Sequence, residues 1–490
     1  MNSFIGIDLG TSSVKLLLVT AEGRILNTAT RAYPVNYPHS GWSEQNPADW
    51  YFGVTDGIKE LLKGQDAASV KGIGIGGQMH GLVTLDSRGG IIRPCILWND
   101  GRTEAQTEYL NNVVGKKFLT EKTANIAFAG FTAPKILWLK ENEPENFKRT
   151  AKILLPKDYV AYRLCGSYST DYSDAAGTLL LDVKNRRWSA DMCKICGIDE
   201  EMLPRLYRSF DKVGTLLPEA AKELGLSEDV IVCAGAGDNA AAAVGTGTVA
   251  DGACNISLGT SGTVFIARDQ FSEDAGNMLH SFCHATGKYH LMGCILSAAS
   301  CNSWWMEKIL KTEDFAAEQS GLEGRLGKNG VFFLPYLMGE RSPHNDVNAK
   351  GAFIGMRPDT TRGDMTLAVF EGVAYALKDC VEIAKSCGAN VTSTRICGGG
   401  AKSPLWRQIV ADVLNVPVEV PKVEEGPSYG AAMLAMVACG TYKSVEEAAS
   451  AITSLKEITY PDADTAALYD KKYQVFKELY PALKGVFPKI

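Results

Sequence analysis

The chain contains no Gly-x-x-x-x-Gly-Lys-Ser/Thr segment, which excludes the P-loop class of nucleotide-binding proteins. No apolar run approaches the roughly 20 residues needed to span a bilayer, so no membrane partner is expected. The opening Met1-Asn-Ser-Phe-Ile-Gly-Ile-Asp8 has neither a basic region nor an apolar core of signal length. Positive charge is not in excess. The net charge of −6 speaks against a broad phosphate-seeking surface and hence against nucleic-acid binding. Cys193-Lys-Ile-Cys196 lacks a second CxxC pair, a nearby histidine ligand and a thioredoxin-like context, and reads as structural. An odd count of 13 cysteines with no export signal predicts free thiols in a reducing cytosol, and so a cytoplasmic location.

What is present is an ordinary globular composition, 46% hydrophobic and 22% charged over 490 residues, enough for two or three domains. An internal repeat reduces the count to two. Residues 7–14, Ile-Asp-Leu-Gly-Thr-Ser-Ser-Val, share five of eight positions with residues 256–263, Ile-Ser-Leu-Gly-Thr-Ser-Gly-Thr. In each copy an apolar run enters a Gly-Thr-Ser turn and a second apolar run leaves it. That pattern predicts a β-hairpin presenting hydroxyls and backbone N–H groups. The expected domains are 1–248 and 249–490, with the boundary at the break Gly245-Thr-Gly-Thr-Val-Ala-Asp-Gly252.

Both halves alternate helix and strand patterns. Trp50–Lys63 and Arg102–Asn112 read as helices, and Val70–Ile75, Pro94–Trp98 and Val230–Ala234 as strands. In the second half, Ser297–Lys311, Met365–Cys387 and Leu405–Leu414 read as helices, and Gly330–Pro335 and Thr394–Cys397 as strands. The tail after Lys443 reads as amphipathic helices closing a domain.

Two glycine patterns resemble dinucleotide fingerprints. Gly72-Ile-Gly74-Ile-Gly-Gly77 lies within a strand and fails on context. Gly235-Ala-Gly237-Asp-Asn-Ala240 follows a strand and opens a helix, yet Asp238 would occupy the place of the pyrophosphate, which is electrostatically wrong. Asp238 is either a helix cap or a carboxylate aimed at a substrate hydroxyl. The helix terminus is expected to favour its ionised form and make it a weak base. Asp8, ending a strand before Gly10-Thr-Ser, is either a turn residue or a Mg²⁺ holder acting through water. His80 in Gln78-Met-His80-Gly reads as structural, and Trp98-Asn-Asp-Gly-Arg102 as a turn and cap.

Taken together these residues resemble the FGGY carbohydrate kinases, members of the actin-like ATPase superfamily. Phe4–Lys15 is similar to the family's first phosphate motif and Ile256–Gly262 to its second. Ile396-Cys-Gly-Gly-Gly-Ala-Lys-Ser-Pro-Leu-Trp-Arg407 is similar to its nucleotide signature. Within the family, five segments look most like the bacterial members that phosphorylate D-xylulose: 78–81, 98–102, 131–135, 155–159 and 237–240. Phe333–Asn345 belongs to the same set. Kinases of ribulose, gluconate, fuculose or glycerol are the neighbouring alternatives, and a non-kinase actin-fold ATPase a more distant one.

The resemblance implies two ribonuclease-H-like α/β domains facing across a cleft that holds ATP, with the sugar and ATP as partners. It implies Asp238 as general base, Asn239 positioning the sugar, Met79 and His80 in the sugar pocket, and Trp98 against the carbon chain. Asp8 would organise Mg²⁺, Thr11 would lie by the phosphates, Gly259 and Thr260 would hold phosphates from the second domain, and Gly399 and Gly400 would lie near the nucleotide. It reverses the structural readings of Asp238 and His80 and leaves a homodimer open; Arg341 and His344 are given no catalytic role and read as a turn at the cleft rim.

Overall fold

Ser3–Leu9 and Ser13–Thr20 pair antiparallel around the Gly10-Thr-Ser turn, Leu9 opposite Val14. Cys254–Leu258 and Gly262–Arg268 pair in the same way, Leu258 opposite Gly262. In each case the hairpin's first strand is flanked on its other edge by a parallel strand, Val70–Gly77 or Thr394–Cys397. The repeat read in the sequence is therefore a repeat of topology. This computed structural model describes residues 2–490 and builds each copy into a seven-stranded mixed sheet. Parallel strands buried on both faces demand near-continuous apolar runs, and Phe4, Ile5, Ile7 and Leu9 are all fully buried.

The glycines at 72, 74 and 76 have a packing reason. They share one face of Val70–Gly77, and the helix Gly426–Ala438 lies against that face. A Cβ on Gly74 would stand 1.9 Å from the Ala431 carbonyl oxygen, and one on Gly6 would stand 1.9 Å from that of Ser428. The dinucleotide-like spacing is thus a period-2 track for a helix backbone.

That helix also packs against Asp238–Thr246, with small residues on both contact faces. A Cβ on Gly245 would lie 2.0 Å from the Gly426 carbonyl oxygen, and one on Gly430 would lie 1.9 Å from that of Ala241. Gly245 does not break the chain, as the sequence reading had it. The helix runs through it to Thr246, because glycine here admits a neighbouring backbone.

Three other segments depart from expectation, among them residues 297–311, where the helix Ala299–Ser303 gives way to a π-type turn over Trp304–Leu310. Residues 102–112 are helical only in part: Glu104–Glu108 gives way to a wider π-type turn over Tyr109–Gly115. The charged tail also contains an edge strand, Leu455–Thr459, between its helices. All thirteen cysteines are free, and no helix is long and apolar enough to cross a membrane among the described residues.

Candidate active site

The first Gly-Thr-Ser turn is fixed by side chains from three directions. Tyr33 Oη donates to the Gly10 carbonyl at 2.5 Å, and Gln78 Nε2 donates to the same oxygen at 3.3 Å. Gln45 Nε2 donates to the Thr11 carbonyl at 2.6 Å, and the Trp98 indole Nε1 donates to the Thr11 hydroxyl at 2.9 Å. The Thr11 and Ser12 amides find no protein acceptor among the described residues, as in a turn open to water or to an anion. The second turn is held from Ala298–Ser300. Ala299 N donates to Gly259 O at 2.8 Å, Ala298 N to Thr260 O at 2.9 Å, and Ser300 Oγ to Thr260 O at 2.7 Å.

Asp238 is the first residue of its helix. Its Oδ1 accepts from the Asn239 amide at 2.7 Å and from Asn239 Nδ2 at 2.8 Å. Those bonds favour the ionised form, yet burial outweighs them and pushes the carboxyl up to about 6. The helix start favours the ionised form as expected, but the expected weakness as a base is corrected: desolvation, a tertiary property, outweighs the local dipole.

Asp8 lies within Coulomb reach. Burial first and then the Asp238 charge push it up to about 7, against the pull of Lys15, which is ion-paired to Glu425. Asp8 receives no protein hydrogen bond among the described residues, and no group of three or more ligating side chains converges anywhere among them. Few hard oxygen donors, unmet and mutually repelling, suit a Mg²⁺ that keeps much of its water.

Beneath Asp238 lies a support that the sequence reading did not identify. The Gly237 amide donates to Ser173 Oγ at 3.1 Å, and Ser173 Oγ donates to Asp171 Oδ2 at 2.5 Å. Asp171 is bridged at 3.1 Å to the fully buried Lys157, which also meets Asp158 at 2.6 Å. The segment 155–159 had been singled out by resemblance, but its link to Asp238 is three-dimensional.

Met79 and His80 line the next stretch of wall. Close approach to Met79 explains Gly237, since a Cβ there would lie 2.9 Å from the Met79 sulfur. His80 sits at φ 70°, a conformation that costs energy for a residue with a side chain. Three contacts hold it there. Its Nδ1 bonds the Gly177 carbonyl at 2.6 Å, while its own carbonyl accepts from Lys135 Nζ at 2.8 Å and Thr132 Oγ1 at 3.1 Å. Because Gly177 O only accepts, Nδ1 carries the proton and Nε2 is a free acceptor. Burial pulls the imidazole down to about 3, so it is neutral at physiological pH.

A cavity of about 380 Å³ runs from Asp238 and Asn239 into the second half, where Ser257, Thr263, Gly398 and Lys402 line it. Gly399 has open space around it, whereas Gly400 is buried against Leu258 and Trp406. The structure thus brings Asp8, Asp238, Asn239, Met79, His80 and the Trp98–Thr11 pair together on one side. Residues after Thr394 form the opposite end of the cavity.

A buried carboxylate lining a cavity that is also lined by residues of the second repeated hairpin sheet fits the phosphoryl-transferring proteins of the actin-like ATPase fold. Comparison carries this further. Residues 3–245 match the N-terminal domain of the FGGY family of carbohydrate kinases, and residues 254–439 match its C-terminal domain. The chain belongs to that family. It is 40% identical over 482 residues to xylulose kinase of Escherichia coli, covering 98% of this chain and 99% of that one. A ligand-bound xylulose kinase from Lactobacillus acidophilus superposes with a TM-score of 0.95 at 26% identity, covering each chain completely. A gluconate kinase from the same organism superposes with a TM-score of 0.94 at 26% identity, covering 100% of this chain and 99% of that one. The fold alone therefore does not select the sugar.

Proposed function

We propose that the protein transfers the γ-phosphoryl group of ATP to the terminal hydroxyl of D-xylulose, giving D-xylulose 5-phosphate. The observation that carries the mechanism is the position of Asp238, at the meeting point of the cavity and the Met79–His80 wall. A carboxyl near 6 is largely ionised at neutral pH and still basic enough to take a proton from an attacking hydroxyl. Phosphoryl transfer through a loose transition state asks mainly for positioning and charge neutralisation, so a modest base suffices.

In this reading the Thr11 and Ser12 amides and the Gly259-Thr260 turn hold phosphates, and Gly399 and Gly400 flank the nucleotide. Asp8 would hold Mg²⁺, which supplies neutralisation of phosphate charge. His80 Nε2 accepts a sugar hydroxyl, Asn239 orients Asp238 and the sugar, and Trp98 covers the carbon chain. The chain divides into 1–248 and 249–490, turning about the paired helices Asp238–Thr246 and Gly426–Ala438. Closure would keep water from the γ-phosphate. Sugar and ATP are its partners in this reading. Free thiols throughout fit a reducing cytoplasm.

The test is a sugar panel with coupled ADP detection, containing D-xylulose, D-ribulose, L-fuculose, gluconate and glycerol. D-Xylulose should give the highest kcat/KM. A higher value for another sugar, or no ADP above the sugar-free background, sinks the assignment.

A further inference from the structure

The wall beyond His80 is built from both halves of the chain. His80 stacks on Phe131 with centroids 4.7 Å apart, and Phe131 meets Phe128 at 5.4 Å. His280, on a strand of the second sheet, meets Phe128 at 5.1 Å and Phe131 at 5.6 Å. The Arg341 guanidinium completes the series, 5.0 Å above the Phe128 ring. A continuous series of contacts thus leads from Gly237, next to Asp238, through Met79, His80 and the two phenylalanines to Arg341.

Arg341 is anchored firmly by its backbone and not at all by its head group. Its amide donates to Glu340 Oε1 at 2.8 Å, and the same oxygen accepts from the Leu296 amide at 2.8 Å. The next residue donates from its amide to the Cys294 carbonyl at 2.9 Å and from Ser342 Oγ to the Met278 carbonyl at 2.7 Å. The half-buried guanidinium makes no ion pair and no hydrogen bond among the described residues. Five N–H donors in a rigid fork, held over an aromatic face and left unmet, await an acceptor that the protein does not provide. Such preorganisation favours an acceptor brought by a ligand.

We propose that Arg341 is a sugar-binding residue contributed by the second half, donating to the C1 and C2 oxygens of the ketopentose. This rests on the reading of D-xylulose as substrate. The end of that sugar remote from the phosphorylated hydroxyl is an α-hydroxyketone, whose two adjacent oxygens match the two parallel N–H groups of the fork. Sugar binding then engages both halves at once, since His80 and Arg341 lie in different sequence repeats.

The experiment pairs removal of a side chain with removal of a substrate oxygen. Wild type, Arg341→Met and Arg341→Lys are assayed with D-xylulose and with 1-deoxy-D-xylulose, which lacks O1. Methionine keeps the packing on Phe128; ADP binding and circular dichroism check that the variants fold. Arg341→Met should raise KM for D-xylulose about 10-fold or more, as expected for a hydrogen bond from a charged donor, while KM for ATP stays within about twofold. Wild type should prefer D-xylulose over the deoxy sugar, Arg341→Met should lose most of that preference, and Arg341→Lys should recover part of it. An unchanged preference in Arg341→Met assigns the residue to packing and overturns the proposal. If Arg341→Met does not fold, an unchanged preference in Arg341→Lys has the same meaning. Wild type inert toward D-xylulose would instead overturn the substrate reading, and this inference with it.

Discussion

The Trp98 indole nitrogen and the Thr11 hydroxyl, 87 residues apart, are joined by a 2.9 Å hydrogen bond. In the proposed reading, the bond ties a residue of the sugar side to the turn that would offer its free amides to phosphate. Trp98→Phe keeps an aromatic face and deletes the donor. One such bond contributes about 0.5–1.5 kcal/mol, so kcat/KM should fall roughly two- to tenfold. KM for sugar and KM for ATP should both move. A change confined to the sugar would show that the bond does not couple the two.

Asp238→Asn should lower kcat by about 10²–10⁴ while ADP still binds, because the amide cannot take the proton. Calorimetric ADP binding and a coupled assay separate the two effects. Near-normal turnover would refute the base assignment.

The acid limb of kcat/KM should follow Asp238. The group works only when ionised, so activity is retained above pH 6 and drops about tenfold per unit below it. Asn239→Ala removes the Nδ2 donor that favours the ionised form and should move the limb to higher pH. A profile flat to pH 5 would assign the proton to another acceptor.

Asp8 should destabilise the resting protein at alkaline pH. A carboxyl raised from 3.8 to about 7 stabilises the fold only while protonated. Its contribution is complete below about pH 4 and is lost as pH rises through 7. Asp8→Asn, a mimic of the protonated acid, should therefore melt higher than wild type at pH 8. About 1 kcal/mol regained would appear as roughly 2–4 °C. The advantage should be smaller at pH 5 and vanish only below about pH 4 in ligand-free, metal-free protein. An equal advantage at pH 8 and pH 5 would disprove the electrostatic origin.

Gly74→Ala and Gly399→Ala make a matched pair. The first drives a Cβ into the Ala431 carbonyl, whereas the second meets nothing within 4 Å. Gly74→Ala should cost about 1–3 kcal/mol or prevent folding, and Gly399→Ala should stay within about 0.5 kcal/mol. If Gly399 flanks the nucleotide, its alanine variant raises KM for ATP and leaves KM for sugar unchanged.

The parts of this site legible in the sequence are those built from local chemistry. Gly10-Thr-Ser and Gly259-Thr-Ser are turns because of what glycine and hydroxyl residues do within four positions, and both hairpins form as expected. Asp238 is legible as a helix-initiating acid, but its basicity depends on burial that no neighbouring residue announces. The Lys157–Asp171–Ser173 support joins residues that touch Gly237 only after folding. His280 is silent for the same reason: it borders the phenylalanine wall from a different sheet. Leu455–Thr459 escaped because an exposed edge strand lacks the apolar alternation that marks a buried one.

Asp238 begins the helix whose far end is pressed, backbone against backbone, onto Gly426–Ala438. Where Gly245 meets Gly426 and Gly430 meets Ala241, no side chain separates the two backbones, so little there could yield separately if the halves swung apart. The carboxylate would travel with the joint itself. In the proposed reading, opening to exchange ligands and displacing the proton acceptor would then be a single movement. Coupling of that kind needs no inhibitor and no dedicated latch, only glycine and alanine where two rods cross.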